Sequence, residues 1–417
     1  MKIIDAIAED AAGIARLRRD IHAHPELGLE EVRTSDLVAE RLAAWGIEVH
    51  RGMATTGVIG LVHGRDGGAY DRVNGRAHGP AHGHANGRAV GLRADMDALP
   101  VLEENTFAHA SQYAGTMHAC GHDGHTAMLL GAAQHLARTR AFDGTVVLIF
   151  QPAEEGRGGA QAMIKEGLFE RYPMEAVFGL HNWPGYPVGT LAASPGPVMA
   201  SANFFSIEVR GRGGHAALPH LAIDPVTVAC QIVQAIQTIV SRNLRPIDTG
   251  VISVTMVHAG EATNVLPDSC RIDGTVRTYS TEMLDLIERR MAEIAHHTCA
   301  AHGASCEFDF QRRAPAVVNH RHEAEFAARV MASIVGPDQA RVQEPSMASE
   351  DFAFMLQAKA GCYAFIGNGD GEHRHAGHGL GPCMLHNPSY DFNDALLPLG
   401  ATYWVRLAEA WLAAPRR

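Results

Sequence analysis

Apolar positions recur at helical spacing over residues 5–20 and again over 31–45. They predict two helices joined by a His-Pro-Glu-Leu-Gly stretch in which Pro25 and Gly28 break the period. Short apolar runs at 58–62 and 89–92 predict strands. Between them, residues 67–88 carry glycine and histidine without any period and predict a surface loop, with His78, His82 and His84 as solvated positions outside any site. Helical spacing returns at 124–138. Residues 145–150 form an unbroken β-rich run, the pattern of a strand buried on both faces of a parallel sheet, and it ends in Gln-Pro-Ala-Glu-Glu-Gly (151–156). Another strand, 176–180, leads into His181. Strands alternating with helices predict an α/β fold, a doubly wound mixed sheet.

From about residue 200 the pattern changes. Strands are predicted at 204–209, 251–257, 270–276 and 305–310, with helices at 223–240 and 282–300. This β-α-β-β-α-β order is that of the ferredoxin-like α+β unit. After 312 the first pattern resumes, with helices near 322–335 and 350–357, a strand at 362–366 and a closing helix from Leu396. The expected organisation is a catalytic domain in two parts, 1–198 and 312–417, with an inserted domain over 199–311.

Composition narrows the function. The chain has 417 residues, 46% hydrophobic and 19% charged, as in a globular protein of two domains. A formal charge of −11 and the lack of a basic block argue against a nucleic-acid partner. Seven cysteines without a short-range pairing pattern predict reduced thiols and a cytoplasmic setting. Acids at Asp5, Glu9 and Asp10 interrupt the N-terminus, against a secretory signal. No apolar run approaches the ~18 residues a membrane helix needs, so no membrane partner is expected.

The candidate chemistry lies at strand ends and loops. Residues 117–125, Met-His-Ala-Cys-Gly-His-Asp-Gly-His, gather a thiol, three imidazoles and a carboxylate around two glycines. Thiolate with imidazole suits zinc or a transition metal rather than calcium or magnesium. Taken alone, the segment is also compatible with a buried cysteine and surface histidines. Asp95, Asp97, Glu154, Glu155, His181 and His386 add further ligand-type groups at successive βα junctions. Four ligands saturate one ion, so the surplus points to two ions close together. Adjacent residues leaving a strand point in different directions, so of Glu154 and Glu155 one can bind metal while the other handles a proton.

Five motifs, in order along the chain, carry a resemblance. They are residues 93–100 (Arg-Ala-Asp-Met-Asp-Ala-Leu-Pro), 117–125, 150–155 (Phe-Gln-Pro-Ala-Glu-Glu), 180–184 (Leu-His-Asn-Trp-Pro) and 385–394 (Leu-His-Asn-Pro-Ser-Tyr-Asp-Phe-Asn-Asp). Together they resemble the amidohydrolase branch of the aminoacylase and carboxypeptidase metallopeptidases, to which hippurate hydrolase and the auxin-conjugate hydrolases belong. The resemblance implies two divalent ions (manganese, zinc, cobalt or nickel) held by Cys120, His122, Glu155, His181 and His386. It makes Glu154 the catalytic base and Asp97 the carboxylate that orients a ligand. Where other branches of the family carry a histidine and a bridging aspartate, this chain has Asp95 and Cys120.

In the second domain, residues 211–219, 260–267 and 274–277 resemble family segments. The likeness gives His215 an oxyanion-stabilising role in a partner subunit's site, and Asn264 and Arg277 roles in substrate binding. An arginine fork suits a substrate carboxylate. Read without the resemblance, these three are ordinary hairpin and strand residues. The activity implied is hydrolysis of a small N-acyl or N-aroyl amino acid, as hippurate is, to a carboxylic acid and a free amino acid, by a homodimer or homotetramer. The rivals are a dipeptidase or deacetylase of the same architecture and, from another class, a non-catalytic metal-binding protein.

Overall fold

Runs of aliphatic residues without alternation need cover on both faces, and the strand Thr145–Gln151 receives it, being buried at all seven positions. The computed structural model describes residues 1–65, 72–73, 76–77 and 87–415. Most of the expected loop over 67–88, including His78, His82 and His84, therefore lies outside the described residues. The chain divides into two compact units. One comprises Met1–Gly196, Asn319–Glu344 and Phe354–Arg417; the other comprises Pro197–Val318 and Pro345–Ala353.

The larger unit is built on an eight-stranded mixed sheet. Its order is Glu48–Met53, Gly57–His63, Thr145–Gln151, Ala89–Asp95, Ala176–Pro184, Gly361–Gly369, Leu191–Ala192 and Ala340–Arg341. The four strands from Thr145–Gln151 to Gly361–Gly369 run parallel. Chain order reverses where Ala89–Asp95 lies between Thr145–Gln151 and Ala176–Pro184. Open α/β sheets bind ligands at the carboxyl ends of strands around such a reversal.

The predicted helices and strands are found, with one refinement to a helix and one to a strand. The first predicted helix is two, Asp5–Glu9 and Ala11–Ala23, divided at Asp10. The strand expected to stop before His181 runs on to Pro184, because pairing with Gly361–Gly369 continues through Phe365 opposite His181 and Ile366 opposite Asn182.

The smaller unit has the four-stranded antiparallel order Gly250–His258, Ser269–Thr278, Ala202–Arg210, Ser305–Ala314. Helices Pro225–Arg242 and Thr281–Ala301 supply Ile232, Ile236, Ile239, Ile287 and Met291 to its core. Asp224 caps the first of these and Ser280 the second, each accepting a hydrogen bond from a first-turn amide. Chain order and strand order together are those of a ferredoxin-like unit. Among the described residues no helix is long and apolar enough to cross a membrane, and all seven cysteines are unpaired.

Candidate metal centre

Three parallel strands end on the same edge. Ala89–Asp95 delivers Asp95 and Asp97, Thr145–Gln151 delivers Glu154 and Glu155, and Ala176–Pro184 carries His181 near its end. Cys120 and His122 come from the turn opening the helix His122–Thr139. Gly121 between them has φ +96°, a left-handed conformation, and a Cβ there would strike the Asn182 side chain at 2.2 Å. That left-handed glycine turn lets residues two apart face one point. His386 arrives on a loop and is itself left-handed, at φ +65°. Its backbone N–H donates to the Ala119 carbonyl at 2.7 Å, which ties that loop to the Cys120 turn.

The predicted residues of the larger unit converge. Cys120, His122 and His181 have ligand atoms within 4.8 Å of one another; so do Cys120, Glu155 and His386, and so do His122, Glu154 and Glu155. Cys120 Sγ is 3.4 Å from His181 Nε2, and His386 Nε2 is 3.3 Å from Glu155 Oε1. His181 Nδ1 donates to the Asn182 carbonyl at 2.6 Å. His122 Nδ1 donates to the Asp97 carbonyl at 2.9 Å and lies 3.2 Å from Asp97 Oδ1. His181 therefore turns an unprotonated Nε2 toward the thiol. Burial opposes charge on His122, but Asp95 and Cys120 hold its pKa well above the ordinary imidazole value. Asp97 Oδ2 also accepts the Glu155 N–H at 2.9 Å.

Electrostatics follow from burial. Desolvation, with Glu155 adding to it, pushes the Cys120 thiol up. Burial, with His125 adding to it, pushes His181 well down, so it is a neutral ring. Burial opposes charge on Asp95 too, but His122, Arg93 and His125 hold it ionised. Asp95 meets Arg93 at 2.6 Å and His125 Nδ1 at 2.6 Å, so it is committed to them, with His122 Nε2 3.8 Å away.

A cation fits these donors. His122 Nε2 is buried without a hydrogen-bond partner among the described residues, a cost that a metal removes. Thiol, imidazoles and carboxylate make a borderline-soft set, and a bound divalent ion would reverse the upward push on the thiol. Two ligand triplets sharing Cys120 match two neighbouring ions.

A model of the peptidase family M20/M25/M40 matches residues 91–410. The chain belongs to this family. Hippurate hydrolase from Campylobacter jejuni is 38% identical over 413 residues, covering 99% of this chain and all of that one. N-acetylcysteine deacetylase from Bacillus subtilis is 35% identical over 401 residues, covering 95% and 96%. A solved Bacillus subtilis structure, described as a dinuclear metal binding peptidase of family M20, has a TM-score of 0.79 at 31% identity, covering 98% and 99%. As a member of family M20 the chain is a metal-binding hydrolase of the amidohydrolase kind.

In the smaller unit, His215 lies on the short strand Gly214–His215, paired with Val265–Leu266. Its exposed ring accepts the Ala217 N–H at Nδ1, 3.1 Å away, which puts the ring proton on Nε2. The Asn264 carbonyl accepts the Ala216 N–H at 3.0 Å, so these two candidates are neighbours. Arg277 is half-buried on Ser269–Thr278, and burial pulls its pKa down. The first amide of the helix Phe352–Ala358 donates to the Glu350 carboxylate at 2.9 Å.

Sequence reading missed the polar shell behind the ligands. Arg18 is fully buried and pairs with Asp123 at 2.8 Å and Asp391 at 2.5 Å. His22 pairs with Asp123 at 2.9 Å and Glu103 at 3.1 Å. His378 reaches Asp391 at 3.0 Å, which makes it a supporting loop residue. A signal existed: Ile14, Arg18, Ile21 and His22 share one helical stripe, so two polar residues occupy core-facing positions.

Proposed function

We propose that this hydrolase cleaves the amide of N-acyl or N-aroyl amino acids, releasing a carboxylic acid and a free amino acid. The observation that carries the reading is the gathering of Cys120, His122, Glu155, His181 and His386 on one sheet edge with Glu154 among them. Likeness to hippurate hydrolase over essentially the whole of both chains supports the substrate class.

In this reading those five residues would hold two divalent ions. When bound, the ions polarise the amide carbonyl and lower the pKa of water from about 15.7 to about 7. Glu154 takes the proton of the attacking water and delivers it to the departing amine nitrogen. Asp97 holds the His122 ring in the tautomer that leaves Nε2 free. His215, protonated on Nε2, donates to the developing oxyanion of a partner subunit's substrate. Asn264 and Arg277 bind the substrate, the guanidinium taking its carboxylate. The smaller unit, with its insertion placed at 199–311, supplies the dimer contact.

A metal-replete preparation assayed in parallel on hippurate, N-acetyl amino acids and dipeptides tests the substrate class. Turnover of hippurate equal to or above that of the N-acetyl compounds supports the proposal; a preference for dipeptides overturns it. Likeness to N-acetylcysteine deacetylase favours a deacetylase as the second reading, and the acetyl arm against the benzoyl arm separates the two. Glu154→Gln is expected to keep its metal content while turnover falls about 10²–10⁴-fold. Full turnover in that variant would remove Glu154 from the chemistry.

A further inference from the structure

Glu31 is fully buried, yet no basic side chain pairs with it among the described residues. Its carboxylate accepts two hydrogen bonds. Oε1 takes the Ala153 N–H at 2.8 Å and Oε2 takes the Thr56 hydroxyl at 2.6 Å. A buried carboxylate without a cation is costly to keep, and an apolar side chain of similar length would avoid that cost. The partner explains its presence. Ala153 immediately precedes Glu154 and is left-handed at φ +56° without being glycine. Such a conformation costs about 1–3 kcal/mol and persists only where its surroundings impose it.

Three contacts impose it here. Glu31 grips the Ala153 N–H, and the Ala153 carbonyl accepts the Gly159 N–H at 3.0 Å. From below, Gly28 lies so close that a Cβ there would meet Ala153 Cα at 2.9 Å. On the far side of Glu154, Asp97 Oδ2 accepts the Glu155 N–H at 2.9 Å. Two buried carboxylates therefore hold the peptide N–H groups immediately before and after Glu154.

We propose that Glu31 is a positioning residue for Glu154: paired with Asp97, it brackets that residue's backbone and so aims its carboxylate. The inference rests on Glu154 being the proton carrier. A 1 Å misplacement of a reacting group can cost about 10²-fold in rate, so the bracket has a kinetic consequence that a purely structural contact lacks.

The test uses Glu31→Ala, Glu31→Gln and both changes in the Glu154→Gln background, assayed on the panel substrate that turns over fastest. Glu31→Ala should lower kcat about 10- to 100-fold with KM and metal content unchanged. Glu31→Gln, which still offers Ala153 an acceptor, should recover most of the rate. Glu31→Ala should add no loss to Glu154→Gln, since a misaimed group already lacks its base. Amide hydrogen exchange gives a readout independent of turnover: Ala153 protection should fall in Glu31→Ala and persist in Glu31→Gln.

Wild-type kcat in folded Glu31→Ala, an additive loss in the double variant, or an unprotected Ala153 amide in the parent would each overturn the proposal. Should Glu31→Ala fail to fold, Thr56→Val takes its place, judged by the same fall in kcat at constant KM and metal content. Full activity of Glu154→Gln alone would instead defeat the reading of Glu154, an outcome distinguishable from failure of the bracket.

Discussion

Two imidazoles of the metal centre have one nitrogen already committed. His122 gives Nδ1 to Asp97 and His181 gives Nδ1 to the Asn182 carbonyl, so protein contacts alone set both tautomers. His22 behaves differently because both of its nitrogens face acids. Burial alone would push it down, but hydrogen bonds to Asp123 and Glu103 hold it up at about 9. Arg18 opposes its charge, and the His109 and His118 rings lie beside it. The sign follows from that upward shift. Stabilisation from His22 is complete below its unfolded value of about 6.5 and is lost as pH rises through about 9, amounting to about 3 kcal/mol. Denaturant unfolding of the parent should therefore weaken between pH 6.5 and 9, and His22→Gln should flatten that limb. Equal slopes in the two proteins would assign the alkaline loss to other groups.

At the scale of elements, the ligand-bearing segments are locked together by one guanidinium. Arg18, on the helix Ala11–Ala23, ties Asp123 at the start of the helix His122–Thr139 to Asp391 on the segment following His386. Tyr390 on the same segment accepts from Asn182 at 2.6 Å, reaching the strand that carries His181. Arg18→Met should destabilise the protein by about 3–5 kcal/mol, because two buried carboxylates lose their counter-charge. Arg18→Lys, which keeps the charge but not the fork, should cost less. Chemical denaturation measures both, and a loss below about 1 kcal/mol in Arg18→Met would show that the acids find other partners. Most elements were legible in advance, since unalternating runs such as 145–150 can satisfy their faces only inside a sheet. Buried polar stripes were harder to read: Arg18 on a helix looks solvated until the neighbours that surround it are known.

For the whole molecule, the two units carry different parts of the proposed machinery. Metal ligands and Glu154 sit in the larger one, while His215, Asn264 and Arg277 sit in the smaller. If His215 serves a partner's site, Glu154→Gln and His215→Ala homodimers should each be nearly inactive. Subunits remixed in equal amounts should regain about a quarter of parental activity, because half the dimers would be mixed and each would hold one intact site. No recovery after verified exchange would place His215 in its own subunit's chemistry, and a fully active His215→Ala homodimer would place it outside the chemistry.

Residue types and their order along the chain were enough to announce a doubly wound sheet, a ferredoxin-like unit and a set of metal-type groups, from which the family resemblance picked out five as ligands. Periodicity reports which faces must be buried, and thiol, imidazole and carboxylate carry their coordination chemistry wherever they occur. Folding alone settled which of those groups meet. It committed Asp95 to Arg93 and His125, gave Asp97 to His122 and the Glu155 amide, and set Glu31 beneath Ala153. Those pairings join residues up to 122 positions apart along the chain. They depend on strand order and on a handful of left-handed turns, which no local pattern of residues encodes.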